Sequence, residues 1–475
     1  MAEIRVFTKN ITAKSYDAGL ANSIHFELTH DGTSQELNRG YGILFPQGKI
    51  REDNTIDPRG AQNPRILKLP ENRQVNNYII FCDYVNEASE NIAEGKVYAW
   101  HTDDFTKFTE IGLISEDELK ARADDCDGDS GNLEFTEKIE IDDSLVSGIC
   151  QKWIPPYGIS SRTLRKFEYP LVKGFADPVI FTWNGKWYFL ATNDINGNIG
   201  IFMREADSVD NLFTENHKLS VILDYDEEKE FIQTFWAPEW HIIGGTPYIL
   251  FAVGGKKWAP QSHMMKYKGT GDIMDPESWE EPIRVRKKDG SFLTEDGITL
   301  DMTYLKTPNK SYVIWSERYN IGTALDSGSM LYIGTIDEHN PSVLTSDKIL
   351  LSRPLYGWEN VAGTINNEGP YCLVRNNKVI VSYSGGDACG HYYAVGALSA
   401  SVYDDLLDTS NWAKSQAPFF TAYTLDYIDG PGHSSFFTDE NGEYMIAFHG
   451  QDNGRQSGIH PICFTDEGMP VVIDF

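Results

Sequence analysis

NGKWYFLAT, residues 184–192, opens on an Asn-Gly turn and runs into an aromatic and aliphatic strand. Asn-Gly ahead of such a run is a strong local signal for a β-hairpin. The same phrase recurs as GGTPYILFAV (244–253), PNKSYVIWSE (308–317), NNKVIVSYS (376–384) and NGEYMIAFH (441–449). With Tyr188, Tyr248, Tyr312, Ile380 and Tyr444 as equivalent marks, the steps are 60, 64, 68 and 64 residues. That length holds four strands and their connections, the size of one propeller blade. The predicted fold is therefore all-β: a five-bladed β-propeller over residues 171–475, preceded by a β-rich accessory region over 1–170.

A second shared feature lies 11 or 12 residues before each mark, at the start of another strand. The residues there are Asp177 (FADPVIF), Ala237 (FWAPEW), Asp301 (TLDMTY), Glu368 (NEGPYC) and His433 (GPGHSSF). In a propeller the innermost strands surround the axis, so equivalent positions on them converge on one central region. Each residue taken alone has a structural explanation, such as the turn-forming Asp-Pro at 177–178. Four polar residues sharing one position of a repeat point instead to a common site.

The first 170 residues are less regular. A weaker copy of the unit runs over about 60–114, with Asn63 where Asp177 stands in its own unit, so this blade-like copy lacks the acid. Residues 115–145 are acidic and poorly periodic, centred on DDCDGDSG (124–131), and read as a surface insertion. An EF-hand register from Asp125 fails, because Ser130 falls at the glycine position and Thr136 at the bidentate acid.

Composition narrows the function. Against 41 lysines and arginines stand 70 aspartates and glutamates, a net charge of −29 over 475 residues. Such a chain repels nucleic acid and anionic membrane, so neither is an expected partner. No apolar stretch is long enough for a membrane span, and MAEIRVFTKNITAKS shows no secretory signal, so a cytoplasmic location is expected. The six cysteines contain no CxxC pair, which argues for free thiols over a zinc site. There is no GxSxG elbow, HExxH helix, P-loop or dinucleotide fingerprint.

Glycosidic cleavage needs one protonated carboxyl group for the leaving oxygen and one carboxylate to activate water or attack carbon. Asp177, Asp301 and Glu368 supply three carboxyl groups on the predicted axis. A third carboxylate raises the pKa of a neighbouring acid and helps to keep it protonated.

The ordered set FADPVIF, FWAPEW, TLDMTY, NEGPYC and GPGHSSFF, over about 171–475, resembles glycoside hydrolase family 43. The resemblance implies a five-bladed propeller that inverts anomeric configuration, with Asp177 as general base and Glu368 as general acid. Asp301 would tune and position that acid. His433 resembles an axial histidine that helps to hold a central Ca2+, commonly through water. Inversion implies a base-to-acid carboxyl separation of roughly 6.5–9.5 Å. The WAPE, EGP and GPGH phrases look most like α-L-arabinofuranosidases and mixed arabinofuranosidase/β-xylosidases. The expected partner is thus an arabinose- or xylose-containing oligosaccharide, imported if the enzyme is cytoplasmic; the oligomeric state stays open. Trp236 and Phe235 are candidate sugar platforms, and Arg318 and Arg455 candidate sugar contacts. Related sequences often carry an arginine near the end of the fifth blade, where GIHP (458–461) runs here. Two rivals stand beside this reading: a non-catalytic carbohydrate-binding propeller and an endo-acting arabinanase.

Overall fold

A computed structural model describes residues 1–12, 18–69, 78–124, 135–154 and 164–474. The all-β expectation holds. From residue 175 onward, five antiparallel sheets follow one another along the chain. Their first strands are Phe175–Trp183, Gln233–Ile243, Ile298–Lys306, Glu368–Arg375 and Asp429–Thr438. Each of these touches the first strand of the next sheet, and that of the fifth touches that of the first. The fifth sheet takes a strand from before the first: Val172–Lys173 pairs with Gln456 and Ser457.

Local chemistry explains the sheets. In the first, second and fourth, a two-residue turn joins the first two strands: Asn184-Gly185, Gly244-Gly245 and Asn376-Asn377, all with positive φ. Such turns match the right-handed twist of the flanking strands, and asparagine and glycine adopt them at least cost. The third and fifth sheets use longer loops, between Lys306 and Ser311 and between Thr438 and Tyr444. Apolar residues then fill the gap between adjacent sheets. Phe181, Trp240 and Trp279 pack between the first and second, and Met302 and Trp315 meet Leu250 and Met264 between the second and third. Burying one such side chain contributes about 1.5–3 kcal/mol, so these interfaces hold adjacent sheets together.

The N-terminal region also carries a four-stranded sheet, Gly60–Lys68 to Thr109–Ser115, and a second built around Ala2–Phe7. The acidic stretch expected as a loop contributes helix Glu116–Asp124 and strand Lys138–Ile141, which pairs with Ala2–Phe7. Residues 125–134, which hold most of the DDCDGDSG phrase, lie outside the described residues. The N-terminal region shares a core with the third and fourth sheets: Leu20, Tyr41 and Phe45 pack with Tyr312, Trp358 and Val381. Gln416 joins the two regions through Trp100 Nε1 on its side chain and Trp358 Nε1 on its carbonyl, each at 3.0 Å.

Candidate active site

Every first strand of the five sheets bulges near its start. Two residues there lack a partner: Asp177-Pro178, Ala237-Pro238, Asp301-Met302, Gly369-Pro370 and His433-Ser434. The first of each pair has a φ between 45° and 56°. A bulge bends the strand and re-aims its side chain, and proline is tolerated there because no ladder hydrogen bond is lost.

This register corrects one alignment. Glu368 is not equivalent to Asp177; Gly369 is, and Glu368 precedes the bulge as Trp236 does in the second sheet. The cue lies in the spacing, 12 residues to Ile380 where the other sheets have 11. Glycine suits that place for two reasons. Its φ is +56°, and a Cβ there would stand 2.9 Å from Cγ of His433.

The structure brings Asp177, Asp301, Glu368 and His433 into one electrostatically linked group. Asp177 is 4% exposed. Its Oδ2 accepts a hydrogen bond from Thr192 Oγ1 at 2.5 Å, while Nδ1 of His433 and Nδ1 of His449 both lie 3.1 Å from its Oδ1. Arg455 Nη1 stands 3.5 Å from the same oxygen and is steered there by Asp194, which takes its Nε and Nη2 at 3.0 and 2.7 Å. Asp301 Oδ2 accepts from Gly369 N at 3.0 Å and from Ser316 Oγ at 3.4 Å. Tyr393 Oη donates to Glu368 Oε1 at 2.8 Å.

These surroundings drive the acids apart. Burial opposes ionisation of Asp177, but His433, Arg455 and His449 outweigh it and hold the carboxyl well below its ordinary value. Arg455 keeps its charge at any working pH. Burial pushes Asp301 well above the usual carboxylate range, and the charges of Glu368 and Asp177 add to the rise. Burial also raises Glu368, against the opposing effects of His433 and of hydrogen bonds from Tyr393 and Asn366. One ionised carboxylate thus shares a cluster with two carboxyl groups biased towards the protonated form, the equipment of hydrolysis by paired acid and base.

Several partners were not singled out from sequence: Thr192, His449, Tyr393 and Asn366. A signal for two of them was present. Thr192 and His449 end their repeat phrases, and Ser316 and Ser384 hold the same place, facing the residue before the bulge. Ser384 Oγ accepts from His433 N at 2.8 Å. The fifth sheet carries Arg455 three residues before GIHP (458–461), turned onto Asp177.

Other candidates divide. Phe235 is 1% exposed in the core between the first and second sheets, so interior packing, not sugar stacking, is its role. Trp236 is partly exposed, and its buried Nε1 has no hydrogen-bond partner. Arg318 is held by Asp326 through two bonds of 2.8 and 2.7 Å and lines a cavity of about 300 Å³. Nδ1 of His433 faces Asp177, beside His449 and Arg455; a Ca2+ ion near this histidine would need six to eight oxygens, which water can supply. Among the described residues, no three His, Cys, Asp or Glu side chains are grouped to hold a metal.

The site holds the paired carboxyl groups that acid-base hydrolysis requires. The family model described as Glycosyl hydrolases family 43 matches residues 167–470, and the chain belongs to that family. Alpha-L-arabinofuranosidase B of Pyricularia oryzae is 33% identical over 323 residues, 64% of this chain and 62% of that protein. An enzyme of Streptomyces chartreusis named extracellular exo-alpha-(1->5)-L-arabinofuranosidase is 32% identical over 293 residues, covering 60% of this chain and 82% of its own. The chain thus spans about three fifths of the Pyricularia protein, at 62%. The crystal structure of alpha-L-arabinofuranosidase from Lactobacillus brevis superposes with a TM-score of 0.56 at 26% identity, over 65% of this chain and 98% of that one. A Streptomyces avermitilis relative, 29% identical, is likewise named extracellular. These names overturn the cytoplasmic expectation and the imported substrates that went with it; the composition of residues 1–15 does not decide the compartment.

Proposed function

We propose that the protein is an inverting, exo-acting α-L-arabinofuranosidase, with residues 171–475 forming a five-bladed propeller and residues 1–170 an accessory region. In this reading Asp177 takes a proton from water as its oxygen attacks the anomeric carbon. Glu368 gives its proton to the leaving oxygen as the glycosidic bond breaks. Loss of the proton from Asp177 and uptake of one by Glu368 complete the cycle. Asp301 acts through Glu368, because its Oδ2 accepts from the amide of Gly369, the next residue. Trp236 and Arg455 are the proposed sugar contacts, the first with an unpaired indole N–H and the second already at the base.

The observation that carries this reading is the opposite displacement of Asp177 and of Glu368 within one cluster. The arabinofuranosidase names of the similar proteins support the choice of sugar. The test is hydrolysis of p-nitrophenyl α-L-arabinofuranoside beside p-nitrophenyl β-D-xyloside, by wild type and by Asp177→Ala and Glu368→Ala. Activity on the arabinoside that disappears in both variants, with the β-anomer as first product by NMR, is the expected result. Greater activity on the xyloside would replace the sugar, and release of oligomers from arabinan would replace exo by endo action. Glycan binding without hydrolysis would sink the enzymatic reading.

A further inference from the structure

The segment that leads into Glu368 is docked on the N-terminal region. Arg353 donates from Nη1 to Asn54 Oδ1 at 2.7 Å and from Nη2 to the Asn54 carbonyl at 2.8 Å, and Gly48 N donates to the Leu355 carbonyl at 2.6 Å. Tyr356, Trp358 and Val361 share a core with Leu20, Tyr41 and Phe45. Two glycines let the backbones touch: a Cβ on Gly357 would stand 2.3 Å from the Gly19 carbonyl oxygen. All these N-terminal partners lie outside the family match at 167–470.

Behind this segment lies an ion pair that takes no part in either proton transfer. Glu359 is 0% exposed. Its Oε1 accepts from Lys414 Nζ at 2.6 Å, Asn367 Nδ2 at 2.8 Å and Tyr383 Oη at 2.9 Å, and its Oε2 accepts from Tyr356 N at 2.8 Å. Lys414 Nζ also donates to the Arg353 carbonyl at 2.7 Å and stands 5.0 and 5.3 Å from the ring centroids of Tyr356 and Tyr383. From the N-terminal sheet, Glu110 adds a second negative charge that acts on Lys414. Burying such a pair costs desolvation free energy that apolar side chains of similar volume avoid, so stability alone does not account for it. What the pair adds over an apolar filling is direction. Asn367, 0% exposed and next to Glu368, receives that direction. Its amide group is committed at both atoms: Nδ2 donates to Glu359 and to the Asn366 carbonyl at 3.0 Å, and Oδ1 accepts from Ser352 Oγ at 2.8 Å and from Lys414 Nζ at 3.3 Å. Asn366 N donates to the Glu359 carbonyl at 3.0 Å, and the Asn366 side chain hydrogen-bonds Glu368.

We infer that Glu359 and Lys414 are positioning residues for Glu368, acting through Asn366 and Asn367, and that the N-terminal region serves the reaction by holding the segment that carries them. The inference rests on the reading of Glu368 as general acid. A proton donor must lie within hydrogen-bond reach of the leaving oxygen, and a misplacement of about 1 Å can cost about 10² in rate. The pair therefore acts on the step that Glu368 assists and leaves the binding of sugar unaltered.

The experiment measures kcat and KM on α-1,5-arabinobiose and on p-nitrophenyl α-L-arabinofuranoside, whose leaving group needs little protonation, with Tm as the check on folding. Wild type is compared with the near-isosteric Glu359→Gln, with Lys414→Met, and with Glu368→Gln as the reference for loss of the acid. Gln416→Ala is the control, because it cuts the bonds from Trp100 and Trp358 without touching Glu359, Lys414 or Asn367. In Glu359→Gln and Lys414→Met, kcat on arabinobiose is expected to fall about tenfold with KM little changed, and clearly less on the aryl substrate, the pattern of a weakened acid. Gln416→Ala should lower Tm and keep the wild-type ratio between the two substrates. A ratio unchanged in whichever pair variant folds, or a loss confined to KM, overturns the positioning role. A ratio that falls as far in Gln416→Ala overturns it too, since general loosening then explains the effect. If Glu368→Gln loses equally on both substrates, or wild type cleaves neither, the reading of Glu368 fails first and the inference falls with it.

Discussion

The N-terminal sheet and the first of the five sheets have the same backbone device and different chemistry. Both bulge at an X-Pro pair, Asn63-Pro64 with φ 48° and Asp177-Pro178 with φ 55° at the first residue. In both, the bulged side chain bonds the residue of the second strand that faces the start of the bulge: Asn63 Nδ2 donates to Asp83 Oδ2 at 2.7 Å, and Asp177 accepts from Thr192. The carboxylate has changed strands between the two. Asn63 is exposed, whereas Asp177 is buried against two histidines and an arginine supplied by the fifth sheet. The bulge is therefore a property of a twisted strand. What other sheets bring to it makes the chemistry.

The largest effect expected from that contrast is the loss of Asp177, the proposed base. Asp177→Asn should reduce kcat by about 10²–10⁴ while sugar binding measured by calorimetry persists. Glu368→Gln should cost a similar factor on arabinobiose and clearly less on the p-nitrophenyl substrate, whose leaving group needs little protonation; equal losses would remove Glu368 from the acid's role. Gly369→Ala places a Cβ against His433 at a φ of +56° and should lower Tm more than Gly95→Ala, which has φ +71° but nothing within 4 Å. The left-handed backbone alone costs about 1–2 kcal/mol, so any excess reports the packing of the site.

Charge provides a fourth handle. With Asp177 held low and Glu368 raised, activity should fall on the acid side as Asp177 gains a proton and on the alkaline side as Glu368 loses one. Removing the Arg455 cation lets the Asp177 pKa rise, so in Arg455→Ala the acid limb of kcat/KM should move to higher pH, by about one pH unit. An unmoved limb would detach Arg455 from the base. The smallest effect should come from Asn63→Asp, which restores the acid in the wrong surroundings: kcat unchanged within error. A gain in activity there would mean that the bulge itself is enough.

Much of this was legible in advance. Asn184-Gly185 reads as a tight turn because those residues reach positive φ cheaply, and the apolar run after it can only be a buried strand. Five such phrases at near-equal steps specify the succession of sheets, and the residues before them include Asp177, Asp301 and His433 at true bulge positions. Glu368 was found although its equivalence was one residue off, because both neighbouring positions approach the same region. Phe235 was misread because an aromatic beside an active site and one in a sheet interface share a single composition.

The sequence by itself determined the strands, the turns and the set of carboxyl groups, since each depends on side chains a few residues apart. Tertiary structure alone decided the surroundings that bias each carboxyl group towards or away from its proton. That follows from burial and from charges on remote segments: Arg455 lies 278 residues from Asp177 along the chain and 3.5 Å away in space. The same holds for Asn54 in the N-terminal region, which accepts at 2.7 Å from Arg353, 299 residues away along the chain. Local propensity carries no information across such distances, whereas electrostatics and packing act only on what folding has brought together.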